Sequence, residues 1–130
     1  MQNKAARLIK KTPLRDRITP ALIELHWLPI KARIEYKICL LTYKALKYKE
    51  PKYLNECLAP FKLETNIMIR HATERHRLLE PRGNRNIAER SFDYCAPRIY
   101  NKLPLVIKDN EIVGQFKKRL KTHLFEKTYR

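Results

Sequence analysis

Leu25-His26-Trp27-Leu28-Pro29-Ile30-Lys31-Ala32-Arg33-Ile34-Glu35-Tyr36-Lys37-Ile38-Cys39-Leu40-Leu41-Thr42-Tyr43-Lys44-Ala45-Leu46-Lys47-Tyr48 is the stretch whose reading decides the fold. Pro29 suits a first helical position, where its missing N–H deprives no carbonyl of a partner. From there Ile30, Ile34, Ile38, Leu41 and Ala45 recur at helical spacing and predict one apolar face. A helix of about twenty residues spans roughly 30 Å, enough to cross a small domain. At 100° per residue, Arg33, Lys37, Lys44 and Lys47 gather in one sector flanked by Tyr36 and Tyr43, so the helix carries a single cationic seam. The plainer account of that seam is a core helix whose lysine heads reach water past their aliphatic stems.

Outward from this stretch, the chain reads as one all-α, multi-helix domain over residues 1–130. Only 2 glycines in 130 residues leave little turn chemistry for a β fold. A short basic helix is expected over residues 3–11, with Ala5, Leu8 and Ile9 inward, stopped by Pro13. Thr19 and Pro20 then open one or two turns before the Trp27–Pro29 corner, and Trp27 is expected to pack between that turn and the long helix. Residues 52–58 predict a short helix with Tyr53, Leu54, Cys57 and Leu58 on one side. Residues 61–86 form an irregular, arginine-rich loop with a brief extended piece at Leu78-Leu79. Residues 88–103 are helical again, kinked or restarted at Pro97. A last helix, capped by Asp109 or Asn110, turns Ile112, Val113, Phe116, Leu120 and Leu124 inward and Lys117, Lys118 and Lys121 outward.

The charge bounds the partner. There are 29 Lys and Arg against 13 Asp and Glu, a net +16 spread along the chain. Such an excess opposes compaction, and a polyanion relieves it. Three groups of residues are candidates for RNA or DNA: Arg33, Lys37, Lys44 and Lys47 with the stackable rings of Tyr36 and Tyr43; Arg75, Arg77, Arg82 and Arg85; and Lys117, Lys118, Arg119 and Lys121. No base-reading motif accompanies them, so contacts are expected to phosphate and shape.

Chemistry is harder to find. Asp16, Asp93 and Asp109 are the only aspartates and none are adjacent, whereas two-metal phosphoryl transfer needs clustered carboxylates. His26 and His123 read as local packing or capping groups. His71 and His76, among arginines, suit phosphate or solvent better than a cation. Cys39, Cys57 and Cys95 stand far apart, which suits a reducing compartment and predicts no structural zinc. No apolar run approaches the roughly 18 residues of a membrane span. The expectation is therefore a non-enzymatic chain with no cofactor, metal or membrane partner.

Five stretches in register resemble a known family. They are Asn3-Lys4-Ala5-Ala6-Arg7-Leu8-Ile9, Leu25-His26-Trp27-Leu28-Pro29-Ile30, Leu41-Thr42-Tyr43-Lys44-Ala45-Leu46, Ala96-Pro97-Arg98-Ile99-Tyr100-Asn101-Lys102-Leu103-Pro104 and Phe116-Lys117-Lys118-Arg119-Leu120-Lys121-Thr122-His123-Leu124-Phe125. In this order they resemble the C-terminal tail of non-LTR, jockey-like retrotransposon reverse transcriptases, over nearly the whole chain. The resemblance implies a segment that follows the thumb of an RNA-directed DNA polymerase and a nuclear setting. It supplies no catalytic residue, because the palm motifs are absent. It also makes the chain read as a fragment or remnant of a longer enzyme. Tyr100 stands where the family often has Trp, and Glu80 where it has an apolar residue. The rival expectation is a helical interaction module that docks on the polymerase thumb and binds no nucleic acid itself.

Overall fold

A computed structural model describes residues 1–58, 76–81 and 91–130. Among these residues the structure is helical: α1 (Gln2–Lys10), α2 (Thr19–Glu24), α3 (Ile30–Tyr48), α4 (Lys52–Glu56), α5 (Phe92–Asn101), α6 (Leu105–Lys108) and α7 (Val113–Tyr129). The long helix α3 is the axis, with α4, α5 and α7 packed on it, α1 against α2 and α6 against α7. Tyr43 meets Phe116 and Glu35 meets Lys127, so α7 runs antiparallel to α3. None of the described helices is long and apolar enough to cross a membrane.

The face that α3 buries matches the expected one only in part: Ala45 is buried and Ile38 packs half-buried against the core. Ala32, Cys39, Thr42, Tyr43 and Ala45 are buried, whereas Ile30 (61% exposed), Ile34 (55%) and Leu41 (46%) face outward. Three helices crowd one side of α3, and small residues are what allow close approach there. Cys39 and Ala45 on α3 and Ala96 on α5 have no exposed surface at all. Thr42 is tolerated in this interior because its hydroxyl donates to the Ile38 carbonyl at 2.9 Å. The outward side of α3 therefore carries a stripe of branched apolar residues beside the cationic seam.

Other inward assignments shift for related reasons. On α1 it is Ala6 that is buried, while Ala5, Leu8 (82%) and Ile9 are exposed. This short helix is held by polar ties instead: Gln2 Nε2 donates to the Leu28 carbonyl at 2.7 Å, Lys10 pairs with Glu24 at 2.6 Å, and Arg7 donates to the carbonyls of Pro13 and Asp16. With only one turn to present, α4 half-buries Leu54 and leaves Tyr53 exposed; just beyond its end Cys57 is exposed and Leu58 is buried. Asn55 fastens it by donating to the Ala45 carbonyl at 2.8 Å. The helix α5 runs unbroken through the buried Pro97.

The loop between α5 and α7 folds a short helix, α6, that periodicity does not reveal. Asn110 serves the end of α6 rather than the start of α7, its Nδ2 donating to the carbonyls of Val106 (3.0 Å) and Ile107 (2.7 Å). Helix α7 begins at Val113, its N-cap Ile112 making no side-chain bond, and buries Phe116, Leu120 and Leu124 as expected; Ile112 is exposed. In the described part of the arginine-rich region, Leu78 is buried and both its N–H and its carbonyl pair with the Asn101 side-chain amide at 2.9 Å. The same amide nitrogen reaches Glu80 at 2.8 Å, so the polar residue at that position is answered by Asn101.

Candidate nucleic-acid interface

The corner at residues 26–29 sets the start of α3 beside the end of α7. His26 takes a left-handed backbone (φ 49°), and Pro29 is extended and opens α3. Partners from three helices brace this corner: the Leu22 carbonyl of α2 accepts from the Trp27 N–H at 2.9 Å, Gln2 of α1 donates to the Leu28 carbonyl, and the Tyr129 hydroxyl of α7 donates to the Trp27 carbonyl at 2.8 Å. A corner without repetitive hydrogen bonding of its own must find such partners, and here α1, α2 and α7 supply them. The end of α7 is thereby set beside the start of α3.

Between them lies a groove of about 440 Å³ whose walls include Trp27, Arg33, Tyr36, Lys37 and Lys121. Arg33 and Lys37 stand one turn apart on α3, and Lys121 faces them from α7. No carboxylate is among the lining residues. Glu35, the acid nearest in sequence, turns to the other side of the helix and pairs with Lys127 at 3.6 Å. Three cations around a concave surface, with no carboxylate among its described lining residues, create a local positive potential that an anion relieves. Tyr36 is half-buried, and burial pushes its hydroxyl pKa up, so it presents a neutral ring and hydroxyl.

The groove unites part of two expected clusters and leaves the rest elsewhere. Tyr43 is not available for stacking: it is buried, lies 4.0 Å from the Phe116 ring at 13°, and donates its hydroxyl to the Asn110 carbonyl at 2.5 Å. Lys47 is exposed, with its ammonium 5.8 Å from the rings of Tyr43 and Tyr48; Lys44 is half-buried. Lys117 and Lys118 are exposed on α7. Arg119, also exposed, donates to the Val106 carbonyl at 3.1 Å and so ties α7 to α6. Arg77 is exposed near Lys108, whereas Arg75, Arg82, Arg85 and His71 lie outside the described residues.

Trp27 and Gln2 are groove residues that sequence reasoning did not assign to binding. Trp27 was expected to pack, and it is half-buried, with part of the ring lining the groove. Its place directly before Leu28-Pro29 signals a corner, but nothing local indicates that α7 closes the other wall. Lys108 is the reverse case. It looks like another surface cation, yet it is only 6% exposed, lies 5.2 Å from the Tyr100 ring centre and donates to the Asn101 carbonyl at 3.4 Å. Burial lowers its pKa.

Among the described residues, the remaining chemistry-bearing groups stand apart from the groove. Cys39 is buried, and burial, with Glu35 adding to it, pushes its thiol up to about 12. Cys57 is exposed, and its pKa is raised by a hydrogen bond to Asp93. Neither is an activated thiolate. His76 sits 2.7 Å from Asp109. Among the described residues, no three His, Cys, Asp or Glu side chains gather where they could hold a metal ion. No family model, curated protein or solved structure matches the chain, so the role of the groove is argued from its own chemistry.

Proposed function

We propose that this chain is a non-catalytic helical segment that grips the phosphate backbone of RNA or DNA, of the kind that forms the C-terminal tail of the retrotransposon reverse transcriptases it resembles. The observation that carries the reading is the acid-free groove in which Arg33 and Lys37 of α3 meet Lys121 of α7 beside Trp27 and Tyr36. Phosphate contacts of this type fix position rather than sequence. They also release counterions, so affinity falls with salt by a logarithmic slope of about 0.7 to 0.9 per phosphate neutralised.

The test is a titration of the intact chain with an oligonucleotide at several salt concentrations, repeated with Arg33, Lys37 and Lys121 all changed to Ala. The expected result is steep salt dependence, with the slope reduced by about 2 to 3 in the triple variant. Binding that ignores salt, or a triple variant that matches the parent, overturns the reading.

A second reading is favoured by the exposed Ile30, Ile34 and Leu41 on α3. The chain is then an interaction module seated on the polymerase thumb of a parent protein. An apolar patch of this kind marks a protein contact when it is contiguous. Absence of nucleic-acid binding by the intact chain, together with binding to a thumb-bearing polymerase that is lost on changing Ile34 to Ser, supports that alternative.

A further inference from the structure

We infer that the groove takes single-stranded nucleic acid and that an unpaired base enters a second, aromatic hollow continuous with it. This deepens the phosphate-binding reading and rests on it. The second hollow, about 590 Å³, shares His26 and Lys121 with the cationic groove and is lined further by Ile23, Thr122, Phe125 and Tyr129. Its rings form a connected set: His26 lies 5.5 Å from Phe125 at 40°, and Phe125 lies 4.7 Å from Tyr129 at 59°. Tyr129 is fixed by its hydroxyl bond to the Trp27 carbonyl, so the wall is held in place before a ligand arrives.

The two hollows differ in the chemistry they offer. One provides three cations, and the other, alongside Lys121 and Arg130, provides aromatic faces and the partly exposed Ile23. Lys121 stands at the junction. The single acid lining the aromatic hollow, Glu126, is directed to Arg130 at 3.7 Å. A ligand that fills both must carry phosphate and a flat apolar ring on one flexible backbone. A duplex does not qualify, because its base faces are hidden in the stack and only its phosphates reach the surface. A single strand does, since its bases can turn outward onto rings while the backbone follows the cations.

Trp27 is the only tryptophan of the chain and lines the cationic groove, so its fluorescence reports occupancy directly. The unmodified chain is titrated with three DNA probes of about twelve nucleotides, a length within the range of small single-strand sites. These are a single strand, the same strand in a duplex, and a strand of the same length lacking bases. The expected result is that the intact single strand binds about tenfold tighter than either of the others. Equal affinity for the intact and base-free strands, or tighter binding of the duplex, overturns the stacked base while the phosphate grip stands. Failure of all three to bind overturns both. A Phe125→Leu variant that keeps its helicity by circular dichroism should close the gap between intact and base-free strands to less than about threefold; an undiminished gap removes Phe125 from the site.

Discussion

Tyr36 and Tyr43 stand two turns apart on the same side of α3, and sequence alone treats them alike, but they end in opposite environments. Tyr43 is closed over by Phe116 and bonded to the Asn110 carbonyl, whereas Tyr36 opens into the groove between Arg33, Lys37 and Lys121. Their lysines repeat the contrast. At the closed end Lys108 is buried over Tyr100, and at the open end Lys121 projects from α7 into the groove. What differs is the residue that α7 or its neighbours place opposite. An aromatic ring laid flat against tyrosine makes core, and a lysine makes a cationic wall. The same residue types therefore build the core at one end and line an open cationic groove at the other.

The sharpest way to break this comparison is to truncate a ring at each end. Phe116→Ala removes a fully buried side chain and should cost about 3–5 kcal/mol in urea unfolding. Tyr36→Ala should cost less than about 1 kcal/mol but weaken oligonucleotide binding, because its ring is half-buried and touches the groove. Comparable unfolding by both variants would erase the distinction between the ends.

The lysines give a second contrast. Lys121→Met should lower oligonucleotide affinity and reduce the salt slope by about 1, with stability changed by no more than about 0.5 kcal/mol. Lys108→Met should leave affinity unchanged and alter stability by no more than about 1 kcal/mol, since the loss of one hydrogen bond is offset by no longer burying an ammonium. Reversal of these two outcomes would mean that the binding surface is at the closed end.

Alkaline pH sharpens the picture of the interior. The Cys39 thiol titrates at about 12 in the folded chain against 9.0 for an unperturbed thiol, with burial as the main cause. Below pH 9 both states keep the proton and folding is unaffected. Between pH 9 and about 12 only the unfolded thiol ionises, so this contribution to stability is lost as pH rises. Lys108, whose pKa is lowered by burial, acts in the opposite sense as pH approaches 10.5. Urea unfolding should therefore show a loss of about 1 kcal/mol from this thiol between pH 8 and 10, more fully expressed in the Lys108→Met variant and absent in Cys39→Ala.

The smallest effect belongs to the outward stripe. Ile34→Ser should change stability by no more than about 0.5 kcal/mol, although Ile34 belongs to the helix face with the most regular apolar spacing. A loss of several kcal/mol in urea unfolding would restore that face to the core.

Much of the scaffold was legible. The length of α3, the short turn at Thr19 and the inward Phe116, Leu120 and Leu124 of α7 follow from spacing and from proline, which act between residues a few positions apart, although Pro29 is the extended N-cap of α3 rather than its first helical residue. The inward side of α3 was legible only in part: Ala45 and Ile38 turn inward as their spacing predicts, but the same spacing pointed to Ile30, Ile34 and Leu41, whereas close helix approach selected Ala32 and Cys39. Asn101 likewise sits in a helical run that says nothing of the Leu78 backbone it clasps. Of the candidate interface, charge and ring content were visible in Arg33, Tyr36, Lys37 and Lys121. Their meeting with Trp27 was not.

By itself, then, the sequence determined where the helices other than α6 lie and that the chain is strongly cationic, since hydrogen bonding along a helix is local and charge is additive. Only the tertiary structure decided which rings are core, which lysine is desolvated and which cations share a groove. Those outcomes depend on the residue that a distant helix places opposite, and in this fold α7 makes that choice for α3.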